Sequence, residues 1–172
     1  MSLTRRSTAI LGCLGFLVIA PGFVAGVVPW WISGWHRHPP FLGFLGFPFL
    51  DVLLTLAGVP IILDSFARFA LQGIGTPAPG FPTKHLVVTG LYRYVRNPMY
   101  VGVNATILGQ ALLFGNAQVL EYGLVVWLCF HLFVRGYEEP NLRSSFGDEY
   151  RDFCANVPRW VPRLSPWNTQ AN

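Results

Sequence analysis

Two stretches of this chain, Ser7 to Trp35 and Asn97 to Leu120, carry no charged side chain at all. A bilayer core about 30 Å thick is crossed by roughly 20 helical residues, so each run is long enough to span it. Lipid offers no hydrogen bonds to a backbone, so such a run must satisfy its own amides and folds as a helix. Charged residues make up only 12% of the 172-residue chain, against about 25% in soluble domains. The expected fold is therefore an all-α integral membrane protein, a single domain over residues 1–172. It has about four transmembrane helices, near 8–31, 49–71, 98–114 and 120–137, and a cytoplasmic tail over 138–172 that holds an amphipathic helix.

Met1 to Arg6 is short and basic, and the apolar run after it continues through Val27, Val28, Trp30 and Trp31. That is too long for a signal-peptide core of about 7–15 residues, and Phe23-Val24-Ala25 makes a poor cleavage site. Trp30, Trp31 and Trp35 read as an aromatic belt at the far interface. In His36-Arg37-His38-Pro39-Pro40, neighbouring histidines face different ways and no carboxylate is close in sequence, so no metal is expected. The second run contains Asp51, Asp64 and Arg68. Asp64 and Arg68 are one helical turn apart and can pair. Gln72 to Thr89, rich in glycine and proline, reads as a loop able to lie over a pocket. Pro98 stands where proline belongs, in a first helical turn. Asn104 and Gln110 should face the bundle interior. Gly115-Asn116-Ala117-Gln118 makes a tight turn, so the third and fourth spans form a hairpin.

Phe146, Tyr150, Phe153 and Val157 recur at helical spacing, an apolar stripe suited to a helix lying on the membrane face. The last nine residues are expected to fray. Cys13, Cys129 and Cys154 are odd in number and lack C-x-x-C spacing, which argues against disulfides and zinc. A net charge of +4 without any basic run gives no nucleic-acid signature. With four spans, eleven of the twelve basic residues share one side and only Arg37 lies on the other. Both termini should then be cytoplasmic. The short chain and the absence of an endoplasmic-reticulum retention signal lean toward a bacterial inner membrane.

Two polar clusters thereby face the cytoplasm. Gly90 to Gly102 reads G-L-Y-R-Y-V-R-N-P-M-Y-V-G, and Arg135 to Pro140 reads R-G-Y-E-E-P. His131, Arg135 and Glu138 are four and three apart, on one face of the fourth span. A carboxylate there can bind an ammonium, a ribose diol or a sulfonium. Arg93 and Arg96 can bind carboxylates or phosphates, and Tyr92, Tyr94 and Tyr100 can face a base or a cation. Spacing alone equally fits a solvated belt of helix-end charges.

The segments V-V-T-G-L-Y-R-Y-V-R-N-P-M-Y-V-G, E-E-P, F-G-D-E-Y and V-P-R-W-V-P-R, spread over Lys84 to Arg163, resemble the isoprenylcysteine carboxyl methyltransferase family. That family is related to the phospholipid N-methyltransferases and uses S-adenosyl-L-methionine. Carried over position by position, the resemblance implies cofactor contacts at Lys84, His85, Leu86, Val87, Tyr92, Asn97, Pro98, Met99, Tyr100, Glu138 and Glu139. Asn97 stands where the family usually has histidine; it can hydrogen-bond but cannot take a proton. The arginine that holds the substrate in the eukaryotic prenylcysteine enzymes falls on Val134, with Arg135 one step away.

The resemblance implies a methyltransferase at the cytoplasmic face. It acts on a lipophilic acceptor, a prenylcysteine-like carboxylate or another lipid-soluble substrate. Arg96 and Arg135 are the candidates to hold an anionic acceptor or the cofactor carboxylate, and His131 or Glu138 the candidate base for an amine. Two other readings stay open. An NADPH-dependent membrane reductase of the sterol and steroid reductase type would use Arg93 and Arg96 for the 2′-phosphate. A non-enzymatic membrane protein would use the polar belt only to anchor helices. Oligomeric state and the acceptor's identity are not legible in the sequence.

Overall fold

The computed structural model describes residues 15, 17–39, 49–68 and 86–168. Lys84, His85, most of the 72–89 loop and the first six residues lie outside them. Among the described residues there are helices and turns and no strand.

The first helix, α1, is wound as a π-helix over Val18–Val27 and continues as a regular helix over Val28–Ser33. Pro21 lies inside the wide-wound part. Proline removes one helical donor and crowds the preceding turn, and a wider winding is one way to accommodate it. The α2 helix is Leu50–Arg68, with Asp51 in its first turn and Arg68 in its last. The α3 helix is Pro98–Phe114, and its proline is in the first turn as the sequence predicts. Gly115 closes α3 in a left-handed conformation, and the Asn116 side chain caps α4 (Ala117–Phe133) by accepting from Val119 N. Where the sequence predicts a fourth span over 120–137, the helix begins at Ala117. It runs on through a π-turn at Val134–Glu138 into α5 (Glu139–Asn156), which kinks at Gly147.

The packing is most extensive between α2 and α3. Small residues permit it: a Cβ on Gly58 would strike Thr106, and one on Gly109 would strike Thr55. Close backbone approach of this kind is what small residues supply between apolar helices. The α3–α4 hairpin buries Ile107 and Val119 completely. The α1 helix crosses this hairpin, with Gln110 Nε2 donating to Ala25 O at 2.6 Å and Tyr122 Oη donating to Val24 O at 2.9 Å. Asn104 and Gln110 are both buried, as predicted.

The helix surfaces that remain are apolar. Ile19, Trp31, Leu53, Leu56, Leu124 and Leu132 are all exposed. Two helices, Leu50–Arg68 and the continuous Ala117–Asn156, are long and apolar enough to cross a membrane, and only 22% of each apolar window is buried. The core helix of a water-soluble domain would be mostly covered. Ile19–Ser33 and Pro98–Phe114 are shorter apolar helices.

Candidate functional site

The hairpin is antiparallel, so the start of α3 and the end of α4 lie at one end of the bundle. Local chemistry fixes the approach to α3. Gly90 opens a short 3₁₀ turn, Gly90–Arg93, at φ +53, and a Cβ there would run into the Arg68 guanidinium. A side chain is thus excluded both by backbone conformation and by space. Arg68 is anchored by the expected pair with Asp64, at 2.8 Å to each carboxylate oxygen, and also reaches Thr89 Oγ1. The two polar clusters of the sequence meet here.

The adjacent glutamates part company. Glu139 is 6% exposed. It accepts from Arg159 Nε at 2.6 Å and Arg159 Nη2 at 3.0 Å, a bidentate pair, and lies 3.2 Å from Arg96 Nη1. Burial pushes its carboxyl up, but the Arg159 hydrogen bonds and the charges of Arg96, Arg159 and Arg143 outweigh that and hold it below the ordinary value. Glu138 turns the other way and accepts from Tyr100 Oη at 3.0 Å. Its carboxyl is raised, first by burial and then by the Glu139 charge, against the lowering effect of Tyr100. One carboxylate is thus neutralised inside the protein. The other, among the described residues, accepts only from Tyr100, whose ring packs on Phe130 at 4.6 Å.

The arginines are largely committed. Arg96 Nη1 also lies 2.7 Å from Cys154 Sγ, while its buried Nε has no hydrogen-bond partner among the described residues. Arg93 Nε donates to Trp167 O at 2.8 Å. Arg135 is exposed, and Val134 beside it is 1% exposed. The π-turn departs from the spacing that would put His131, Arg135 and Glu138 on one face. His131 Nδ1 accepts from Trp160 Nε1 at 3.1 Å. An indole N–H can only donate, so a neutral imidazole carries its own proton on Nε2. In this arrangement His131 offers a donor to a ligand and no base.

The other residues implied by the resemblance divide between packing and support. Pro98 and Met99 are buried, Met99 in the helix core. Tyr92 is buried, and burial raises its phenol against a lowering hydrogen bond with Ser65. Leu86 packs against Tyr150, Phe153 and Val157, and Val87 is buried. Asn97 is buried and donates from Nδ2 to Arg159 O at 3.1 Å. The apolar stripe of α5 thus packs on the chain's own 86–88 segment and on Trp167. Trp167 N also donates to Arg93 O, so the chain is ordered at least this far into the stretch expected to fray. Sequence reasoning missed Arg159, Trp160 and Trp167; the basic, proline-flanked V-P-R-W-V-P-R was the available signal. Among the described residues no cluster of His, Cys, Asp or Glu could hold a metal.

These features define a helical bundle with largely uncovered apolar faces and one chemically equipped end. The profile of the family Phospholipid methyltransferase matches residues 49–149, more than half of the chain, and the chain belongs to that family. It is 42% identical over 82 residues to Protein-S-isoprenylcysteine O-methyltransferase of Schizosaccharomyces pombe, covering 46% of this chain and 34% of the relative. It is 39% identical over 87 residues to Phosphatidylethanolamine N-methyltransferase of Laccaria bicolor, covering 49% of this chain and 9% of the relative. Against Protein-S-isoprenylcysteine O-methyltransferase of Mus musculus the identity is 36% over 81 residues, 46% of this chain and 28% of the relative. The matched stretch thus spans about a third or less of these relatives' lengths.

Proposed function

We propose that the protein is an S-adenosylmethionine-dependent methyltransferase that accepts a lipophilic substrate from the bilayer. Four spans, with both ends of the chain in the cytoplasm, suit the eleven-to-one distribution of basic residues. The observation that carries the reading is Glu138. It is a half-buried carboxylate that, among the described residues, accepts one hydrogen bond, from Tyr100, at the junction of the two clusters, while its neighbour Glu139 is already neutralised. A carboxylate with free lone pairs fits a ribose diol or an ammonium, and its charge beside an aromatic ring fits a sulfonium.

S-adenosylmethionine, when bound, supplies an electrophilic methyl group. The protein's own tasks are alignment and exclusion of water. Glu138 and Tyr100 would hold the cofactor. Arg96 Nη1 is paired with Glu139 and Arg93 Nε with Trp167 O, which weighs against a 2′-phosphate site on these two arginines and so against a reductase. For the same reason Arg96 is a poor holder of an acceptor carboxylate, and Arg135 is left as the candidate for one. Glu138, with its raised carboxyl, is the better proton acceptor for an amine, since His131 Nδ1 is occupied. An amine- or hydroxyl-tipped lipid therefore suits these residues better than a prenylcysteine carboxylate.

Calorimetric titration of the detergent-purified protein tests the reading, with S-adenosylhomocysteine and NADPH run side by side. Saturable binding of S-adenosylhomocysteine alone is expected. NADPH binding, or no binding by a folded protein, would reject the assignment.

A further inference from the structure

We propose that Pro158–Trp167 is a strap that sets the spacing of the site, and that Arg159 is a positioning residue acting through Asn97 and Glu139. Three main-chain bonds stitch the strap to the turn before α3: Arg96 N to Pro158 O, Arg163 N to Tyr94 O and Trp167 N to Arg93 O, each at 2.9 Å. The Arg93 side chain returns a bond to Trp167 O, and the Trp167 ring packs on Phe153 of α5.

Arg159 sits between two elements and holds both. Its carbonyl takes the side chain of Asn97, the residue directly before α3. Its guanidinium takes Glu139, the first residue of α5. Tyr100 lies one turn beyond Asn97, and Glu138 directly precedes Glu139. The 3.0 Å contact of Tyr100 with Glu138 is therefore framed on each side by a residue tied to Arg159. Two positions that the resemblance casts as cofactor contacts, Asn97 and Glu139, act here as the anchors of this frame. Among the described residues Arg159 hydrogen-bonds to neither Tyr100 nor Glu138, yet it limits how far they can part.

The inference rests on the cofactor reading for its effect on binding, but the strap can be tested without it. In the full chain, Arg159→Lys keeps a charge for Glu139 but cannot make the bidentate pair, and Arg159→Gln keeps neither. S-adenosylhomocysteine titration should show a dissociation constant raised by about threefold to tenfold in Arg159→Lys and by more than about tenfold in Arg159→Gln, the loss expected when a charge-assisted hydrogen bond to the ligand is weakened. The stoichiometry should stay that of wild type. Loss of folded protein alone would lower the stoichiometry and leave the constant unchanged, and that result overturns the proposal. If Arg159→Gln does not fold, an unchanged constant in Arg159→Lys overturns it equally. Hydrogen exchange at the Arg163 and Trp167 amides supplies the independent arm. Faster exchange in Arg159→Lys supports the strap even if wild type binds no S-adenosylhomocysteine, in which case only the methyl-transfer reading falls. Exchange unchanged at both amides overturns the strap.

Discussion

The two ends of the α3–α4 hairpin are built from different materials. At one end Gly115 and Asn116 close the turn with backbone bonds and a single side-chain cap, and no ion pair is found there among the described residues. At the other end Arg96, Arg159 and Glu139 form a largely buried ionic cluster, with a second carboxylate beside it, Glu138, that has no ion pair among the described residues. Burying charge is expensive, and an apolar replacement of similar volume often folds as well. A turn that only reverses the chain needs none of it. The contrast fits the proposal that the charged end holds the site.

The largest expected effect breaks the charged end. Glu139→Gln leaves Arg96 and Arg159 facing a neutral amide in a buried place, and breaking a buried pair in this way costs about 3–5 kcal/mol. Denaturant-driven unfolding in detergent, followed by circular dichroism, measures it. A loss below about 1 kcal/mol, the scale of a surface salt bridge, would show that the cluster is solvated.

The two glutamates should also pull the stability profile in opposite directions. Glu139 has a folded-state value below its unfolded one near 4.5, so its contribution is present above that value and lost as pH falls through the folded value. Glu138 has a raised folded-state value, so its contribution is present below the unfolded value and lost as pH rises through the folded one. Thermal midpoints recorded from about pH 3 to pH 8 should show weaker acid destabilisation in Glu139→Gln. In Glu138→Gln the loss on the rising side should disappear. Parallel profiles in the two variants would contradict the different environments assigned to them.

A smaller effect on folding, but a clear one on ligand, is expected from Glu138→Gln itself. The amide can still accept from Tyr100, so stability should change by less than about 1 kcal/mol. Affinity for S-adenosylhomocysteine should fall about tenfold or more, because a hydrogen bond to a charged group is worth about 1.5–3 kcal/mol. Equal affinity in the variant and wild type would remove Glu138 from the site.

Much of the uncharged architecture was legible in the sequence, because backbone satisfaction in lipid leaves few choices. Among the described residues the uncharged runs are helical and Asp64 pairs with Arg68 one turn away; of the predicted turn Gly115-Asn116-Ala117-Gln118, Gly115 and Asn116 make the reversal and Ala117 already opens α4. The charged end was legible only in part. That both polar clusters meet follows from counting helices. The different fates of Glu138 and Glu139 do not, because a π-turn at Val134–Glu138 shifts the register on which any face assignment depends. Arg159 and Trp160 bond to residues 20 and 29 positions away, and no local periodicity reports such distances. For the same reason Trp167, near the end of the chain, reads as loose by position while its bond to Arg93, 74 residues earlier, holds it.

The smallest expected effect belongs to the plain end and completes the comparison. Asn116 accepts from Val119 N at 3.1 Å and so satisfies one of the donors that open α4. Asn116→Ala removes that cap and should destabilise the protein by about 1 kcal/mol, within the usual range for a lost cap. The hairpin's two ends are separated by the whole of α3, Pro98–Phe114. A 17-residue helix is about 25 Å long. Perturbations that far apart and without shared partners are normally additive. Affinity for S-adenosylhomocysteine should therefore stay at the wild-type value, and the double variant Asn116→Ala with Glu138→Gln should show the sum of the two stability changes. A drop in affinity in Asn116→Ala would mean that the hairpin carries strain from one end to the other, and the division between a structural end and a chemical end would then be wrong.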